Sequence, residues 1–195
     1  CHEVVSVDTE KKEIEIHDLK KMRRYVETYD KLVLSPGAKP LKPPIDGVEH
    51  SGVFTVRSVV DTDKIKKYFT DHKISQAVVI GAGYIGLETA ENLKHLGIRV
   101  TVVEMADRVL PFFDFEMSAL IEQHLKDNGI EILLNEKVVS IEGDSSGKVS
   151  QVVLEKGQKL AAELVILGAG VKPDTDFLDN SKIGRLSNGS IVVNA

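Results

Sequence analysis

Three glycines, Gly81, Gly83 and Gly86, stand in the stretch GAGYIG, directly after the apolar run QAVVI and directly before residues that recur at helical spacing. At that spacing each glycine has its own task. Gly81 permits a tight turn out of a strand, Gly83 leaves the backbone bare so that a pyrophosphate can approach it, and Gly86 lets a helix press against the strand. With Ala82, Tyr84 and Ile85 they form a loop that opens a helix, whose N–H groups point at the phosphates. Glu104 supplies the second half of the chemistry. It closes the strand IRVTVVE about 20 residues beyond the last glycine, where a carboxylate can accept both ribose hydroxyls of an adenosine. A glycine turn can also be plain strand-to-helix connection, and methyltransferases too place an acid after their second strand. The third glycine, the small Ala90 on the same face and the period-two runs that follow favour a dinucleotide. NAD(H) is expected over NADP(H), because a 2′-phosphate would bring about −1.5 to −2 charges against Glu104. Arg108, in MADR, would relieve that repulsion if it swung inward instead of pairing with Asp107 or Asp114.

The elements that must hold this loop are legible around it. QAVVI reads as a short buried strand, Ile85, Leu87, Leu93 and Leu96 as one helix face, and Gly97 as its stop. Asp114 can cap a second helix carrying Met117, Leu120, Ile121 and Leu125, which Gly129 ends before the strand IEILL. The order β-α-β-α-β predicts a parallel sheet with right-handed crossovers. The period then changes to two in KVVSIEG, KVSQVVLE and AELVILGAG, a three-stranded meander with turns at residues 144–147 and near Gly157.

The start of the chain repeats the end of this plan. EVVSVDTEKKEIEIHD and YDKLVLSPGAKP have the same order of parts as KVVSIEGDSSGKVSQVVLE and AELVILGAGVKP. The expected fold class is therefore α/β: a Rossmann-like dinucleotide-binding domain with a parallel sheet and a three-stranded β-meander, plus a partial second domain of the same type. The partial copy, 1–45, shows a meander and a closing strand, and its glycine-rich half is expected to precede Cys1. Residues 46–75 read as a linker, stiffened by Pro43 and Pro44 just before it and holding a short helix, DTDKIKKYF. The complete copy spans 76–175, and 176–195 returns toward the first domain.

Composition limits the partners. Of 195 residues 42% are hydrophobic and 28% charged, as in a soluble globular chain, and 25 basic against 30 acidic residues leave a net charge of −5. That balance argues against nucleic acid. The only basic run, Lys20, Lys21, Arg23 and Arg24, lies among acids and reads as a solvated turn. One cysteine, Cys1, excludes a disulfide framework or a Cys-x-x-Cys site within this sequence and points to the cytosol. The six histidines show no metal spacing; His95 and His124 lie on expected helices, where solvent-facing or structural places are the ordinary reading. Neither a membrane-spanning run nor a signal-peptide pattern occurs.

Six stretches together carry a family resemblance: HEVVSVD, YDKLVLSPGAKP, GAGYIGLETAENL, DRVLPFFDFEM, GIEILLNEKVVSIEG and GAGVKPDT. They resemble the pyridine nucleotide-disulfide oxidoreductases, most closely the branch of coenzyme A disulfide reductases, NADH oxidases and NADH peroxidases. The resemblance implies FAD on the first domain (1–45 and the missing half) and NAD(P)H on the second. It also implies a homodimer through a further C-terminal domain, and hydride transfer from nicotinamide to flavin, then to a reactive cysteine and a small-molecule acceptor. By the same resemblance Tyr84 shields the flavin face, Glu88 lies close to nicotinamide and flavin, and the backbone of Ala169 and Gly170 approaches the nicotinamide. Ser35 and Gly37 belong to a turn on FAD, and Val4 borders its adenine. Asp174 departs from the asparagine common in the family's pattern, and Cys1 lies downstream of where the family's reactive cysteine stands. A ferredoxin- or rubredoxin-type reductase of the same plan, or a non-catalytic dinucleotide sensor, are the alternative readings.

Overall fold

In the N-terminal segment EIEIHD alternates apolar and polar residues, HEVVSVD does so with one break at Val4-Val5, and aspartates stand where the chain must reverse, so the local chemistry favours hairpins. The computed structural model describes residues 1–193, and it shows His2–Asp8 (β1), Glu13–Asp18 (β2) and Arg23–Thr28 (β3) paired as an antiparallel meander. Both turns are built alike. Asp8 accepts the N–H groups of Glu10 and Lys11, each at 3.0 Å, and Asp18 those of Lys20 and Lys21 at 3.0 and 3.1 Å. The basic run therefore divides: Lys20 and Lys21 lie in the turn, whereas Arg23 and Arg24 continue into β3. There Arg24 reaches Glu15 at 3.5 Å and Arg23 lies over the ring of Tyr25.

Residues 32–34, expected as the closing strand of this copy, run extended with alternating exposure, yet they pair with no strand among the described residues. A parallel strand exists only through the N–H and C=O groups of a neighbour. No described strand is bonded to this stretch, and Val33 is 85% exposed. The chain leaves this unit through Ala38–Pro40 (β4).

The second unit, 40–170, is separate from the first, which comprises 1–39 and the residues from 171 onward. It contains, in order, Val53–Thr55 (β5), Val59–Asp71 (α1), Gln76–Ile80 (β6), Tyr84–His95 (α2), Arg99–Val103 (β7), Phe115–Asp127 (α3) and Glu131–Leu133 (β8). Val138–Gly143 (β9), Val149–Leu154 (β10), Lys159–Ala161 (β11) and Leu164–Leu167 (β12) follow. Five of these strands form one parallel sheet in the order β5-β12-β6-β7-β8, and β11-β10-β9 form the antiparallel meander. Alternation along the strands divides the core. Ala77, Val79, Val102 and Ile166 face the helices, while Val78, Val103, Val165 and Leu167 face the meander. Both faces being covered explains why these strands read as unbroken apolar runs. The last strand among the described residues, Val171–Pro173 (β13), pairs with β4.

Two expectations change. The third meander strand is Lys159–Ala161, and the run LVIL goes instead into the parallel sheet between β5 and β6. All four of its side chains are at most 3% exposed, which a central parallel strand achieves and a meander edge does not. The stretch 46–75, read as a linker, supplies β5 and a helix that starts before Asp61. Ser58 caps that helix: its N–H donates to Asp61 Oδ2 at 3.0 Å and its Oγ accepts from the Asp61 N–H at 3.4 Å.

The base of β6 is fixed by Glu163, whose Oε2 accepts from the Ser75 N–H at 2.6 Å, the Ser75 hydroxyl at 2.9 Å and the Gln76 N–H at 3.3 Å. The backbone N–H of Ser75 is the main cause that holds this carboxyl below the usual glutamate range. A folded-state value lower than the unfolded one adds stability above the unfolded value, and the addition is lost as pH falls through the folded value. Thermal melts should therefore show the unmodified protein losing stability on acidification below about pH 4.3, with part of that slope removed in Glu163→Gln. Identical slopes in the two proteins would show that Glu163 does not act this way.

Candidate functional site

Three backbones converge where β6 ends, α2 begins and β12 ends. A side chain on Gly81, which has φ +104°, would lie 2.5 Å from the carbonyl oxygen of Gly168, and one on Gly86 would lie 2.0 Å from the carbonyl oxygen of Gly81. Gly168 is closed from the other direction: a side chain there would lie 3.0 Å from the Cα of Gly86. Only glycine fits such contacts, and they set the start of α2 against the ends of the strands. Gly83 differs: a side chain there would meet nothing within 4 Å. Its bare face opens on a cleft of about 610 Å³ lined by Gly81, Gly83, Glu104, Gly168, Ala169 and Gly170, with Pro43, Pro44, Phe112 and Lys137 among the others around it. The first N–H groups of α2 have no partner within the helix, and its N-cap, Gly83, adds no side-chain cap. An anion seated on the bare face of Gly83 would meet the positive end of the helix.

Glu104 stands in the cleft with both oxygens held. Oε2 accepts the N–H of Ala82 at 2.7 Å, and Oε1 the N–H of Ala106 at 2.8 Å. Each carboxylate oxygen has two acceptor positions, so the pair keeps capacity for two hydroxyl donors while its orientation is set by the backbone. The neighbouring strand also holds the position of this residue: its N–H donates to Leu133 at 2.9 Å, and its carbonyl accepts from the Glu136 N–H at 3.0 Å. Arg108 does not line the cleft. Its Nε lies 4.0 Å from Asp107, buried and without a hydrogen-bond partner, which matches the ion pair with Asp107 rather than an inward reach.

The remaining residues named from the sequence fall into separate places. Ala82 is fully buried, and Ile85 lies 40% exposed on α2. Tyr84 and Glu88 line a neighbouring groove of about 400 Å³ with Leu87, Leu120 and His124. The Tyr84 ring, 58% exposed, lies 5.0 Å from Phe112 and 5.8 Å from Phe113, so it adjoins the cleft through Phe112. In the other unit Val4 and Ser35 line a cavity of about 540 Å³, and the carbonyl of Gly37 accepts the N–H of Asp174 at 3.0 Å. Asp174 itself is occupied by Lys39 at 2.7 Å. Cys1 is exposed, and no cluster of metal-ligating side chains occurs among the described residues.

Sequence reasoning passed over Gly168, Phe112 and the proline wall. Gly168 had a usable signal: it follows directly on the apolar run LVIL, as Gly81 follows QAVVI. Pro43 and Pro44 had none, since a proline pair reads as a stiff linker wherever it folds.

This chain resembles several characterised proteins along nearly its whole length. It is 37% identical over 187 residues to an NADH oxidase of Methanocaldococcus jannaschii, covering 94% of this chain and 41% of the relative. Among solved structures it matches an NAD-dependent persulfide reductase from A. fulgidus at a TM-score of 0.90 and 36% identity, over 99% of this chain and 35% of that one. It also matches a FAD-dependent pyridine nucleotide-disulphide oxidoreductase from Desulfovibrio vulgaris at a TM-score of 0.83 and 34% identity, over 99% and 49%. The chain thus spans about two fifths of the length of the curated relatives. With the glycine junction and its acid in place, and with the family model for pyridine nucleotide-disulphide oxidoreductases matching residues 1–195, the chain belongs to that family.

Proposed function

We propose that residues 40–170 bind NADH in the glycine-lined cleft, as the nicotinamide-dinucleotide-binding part of a flavin-dependent oxidoreductase. The observation that carries this reading is the contrast within one loop: Gly81 and Gly86 are bare because backbone fills the space, while Gly83 is bare and faces an open cleft at a helix start. A cradle of that form suits a pyrophosphate. The α2 N–H groups and the Gly83 backbone would hold the diphosphate, Glu104 the adenosine ribose, and the backbone of Ala169 and Gly170 the nicotinamide end. The chemistry supplied there by reduced nicotinamide is hydride donation. By the family resemblance Tyr84 and Glu88, beside the cleft, would lie close to the nicotinamide, and Val4, Ser35 and Gly37 are the candidate contacts for FAD. The eventual acceptor is a small molecule in this reading, a disulfide, oxygen or peroxide, and the compartment is the cytosol. No helix among the described residues is long and apolar enough to cross a membrane.

The test uses the 195-residue chain by itself. Calorimetric titration should give one NADH bound per chain, and the ultraviolet-visible spectrum of the purified protein should lack a flavin band, because its sequence contains a single glycine-rich phosphate loop. Absence of NADH binding would sink the nucleotide assignment, and a stoichiometric flavin band would show that the first unit holds FAD without such a loop.

A further inference from the structure

The geometry points to Lys137 as a second determinant of which nucleotide the cleft selects: its ammonium group pairs with the 2′-phosphate of NADPH and so narrows the preference for NADH that Glu104 imposes. The inference rests on the cleft being the nucleotide site. Three observations place the lysine there.

First, Lys137 is the only cation lining the cleft among the described residues, in which Glu104 and Glu136 are the acids. Second, it follows the residue whose N–H is bonded to the carbonyl of Glu104 at 3.0 Å, and the Asn135 N–H is bonded to Ala106 at 3.0 Å. The 135–137 segment therefore runs beside the segment that carries the ribose acid, within reach of a four-carbon side chain. Third, the two lysines of this corner are committed to different degrees. Lys156 binds Glu136 at 2.6 Å, an acid only 17% exposed, and also approaches the Asn135 carbonyl at 3.5 Å. Lys137 binds Glu155 at 3.1 Å, with the two side chains 56% and 61% exposed. An exposed single pair holds its members weakly, and a phosphate of nearly two charges is the stronger partner for an ammonium. Glu104 cannot withdraw, since both its oxygens are tied to backbone N–H groups. The corner thus offers a fixed acid and a movable base, a combination that accepts the ribose diol well and a 2′-phosphate tolerably.

Dissociation constants for NADH and NADPH, measured by calorimetry on the unmodified chain, Lys137→Ala, Lys137→Arg and Glu155→Gln, test this. Lys137→Ala should weaken NADPH about tenfold and NADH by less than about twofold, the loss expected for one charge-assisted contact. Lys137→Arg should retain most of the NADPH affinity, and Glu155→Gln, by freeing the lysine, should tighten NADPH about twofold to threefold. Thermal melts confirm that the variants fold. Equal losses for both nucleotides in Lys137→Ala, or no loss for either, would overturn the inference while leaving the cleft as the nucleotide site. Binding of neither nucleotide by the unmodified chain would overturn the assignment of the site itself, and this inference with it.

Discussion

Gly86→Ala is expected to destabilise the protein by about 2–3 kcal/mol and to lower its melting temperature by about 5–10 °C, whereas Gly83→Ala should leave stability within about 0.5 kcal/mol of the original. The two glycines lie three residues apart, and their spacing assigns them different tasks without saying what a methyl group would cost at each. Structure does. The new methyl at position 86 would lie 2.0 Å from the Gly81 carbonyl oxygen, a backbone atom that can yield only if α2 lifts from β6. Alanine gains about 1 kcal/mol over glycine inside a helix, but overpacking usually costs about 1–3 kcal/mol and a 2.0 Å approach to backbone lies at or beyond the top of that range, about 3–4 kcal/mol, so the clash wins by about 2–3 kcal/mol. At position 83 the backbone has φ −79° and no atom within 4 Å, so alanine fits without strain. Its methyl would stand in the cleft, where the diphosphate needs the backbone. NADH affinity in Gly83→Ala should therefore fall by at least about tenfold with the fold intact. Circular-dichroism melts and calorimetric titrations separate the two effects. Unchanged NADH affinity in Gly83→Ala would mean that the loop does not hold the phosphates, and an unshifted melt in Gly86→Ala would contradict the close packing of α2.

The sheet around this loop was legible from the sequence because its signals are local. QAVVI is bounded by a glycine turn and becomes Gln76–Ile80 without change, and α2 and α3 end where Gly97 and Gly129 imply. What the sequence hid depends on partners distant along the chain. Val53–Thr55 is too short to show a period and is a strand only because β12 runs beside it. Leu32–Leu34 has the composition of a strand and no partner among the described residues, so the same local signal yields an unpaired extended segment. The site divides in the same way. Gly81, Gly83 and Gly86 are read from spacing, while Gly168 joins them only because β12 returns beside β6. Tyr84 came from family resemblance; that its ring contacts Phe112 and Phe113 follows from the fold of residues 105–114, which no period encodes.

NADH is expected to bind this chain roughly 10- to 100-fold more tightly than NADPH, with Glu104 as the cause. Two like unit charges 4 Å apart cost about 4 kcal/mol at an effective dielectric of 20, and the open cleft screens part of that. A remainder of about 1.4–2.8 kcal/mol corresponds to the stated range. The usual rescuer, an arginine just beyond the acid, is present in the sequence as Arg108 but lies away from the cleft beside Asp107, so it does not cancel the repulsion. Removing the charge tests the cause, and the choice of replacement matters because Glu104 also accepts the N–H groups of Ala82 and Ala106. Alanine leaves both without their acceptor, at about 1–3 kcal/mol for each that stays buried, so Glu104→Ala should melt several degrees lower. Glutamine keeps one oxygen for the buried Ala82 N–H and removes the charge. Glu104→Gln should therefore stay folded and bring the two dissociation constants within about threefold of each other, chiefly by tightening NADPH. Equal or tighter NADPH binding by the unmodified protein would refute the role of Glu104, and a preference that survives in Glu104→Gln would mean that cleft shape rather than charge excludes the 2′-phosphate.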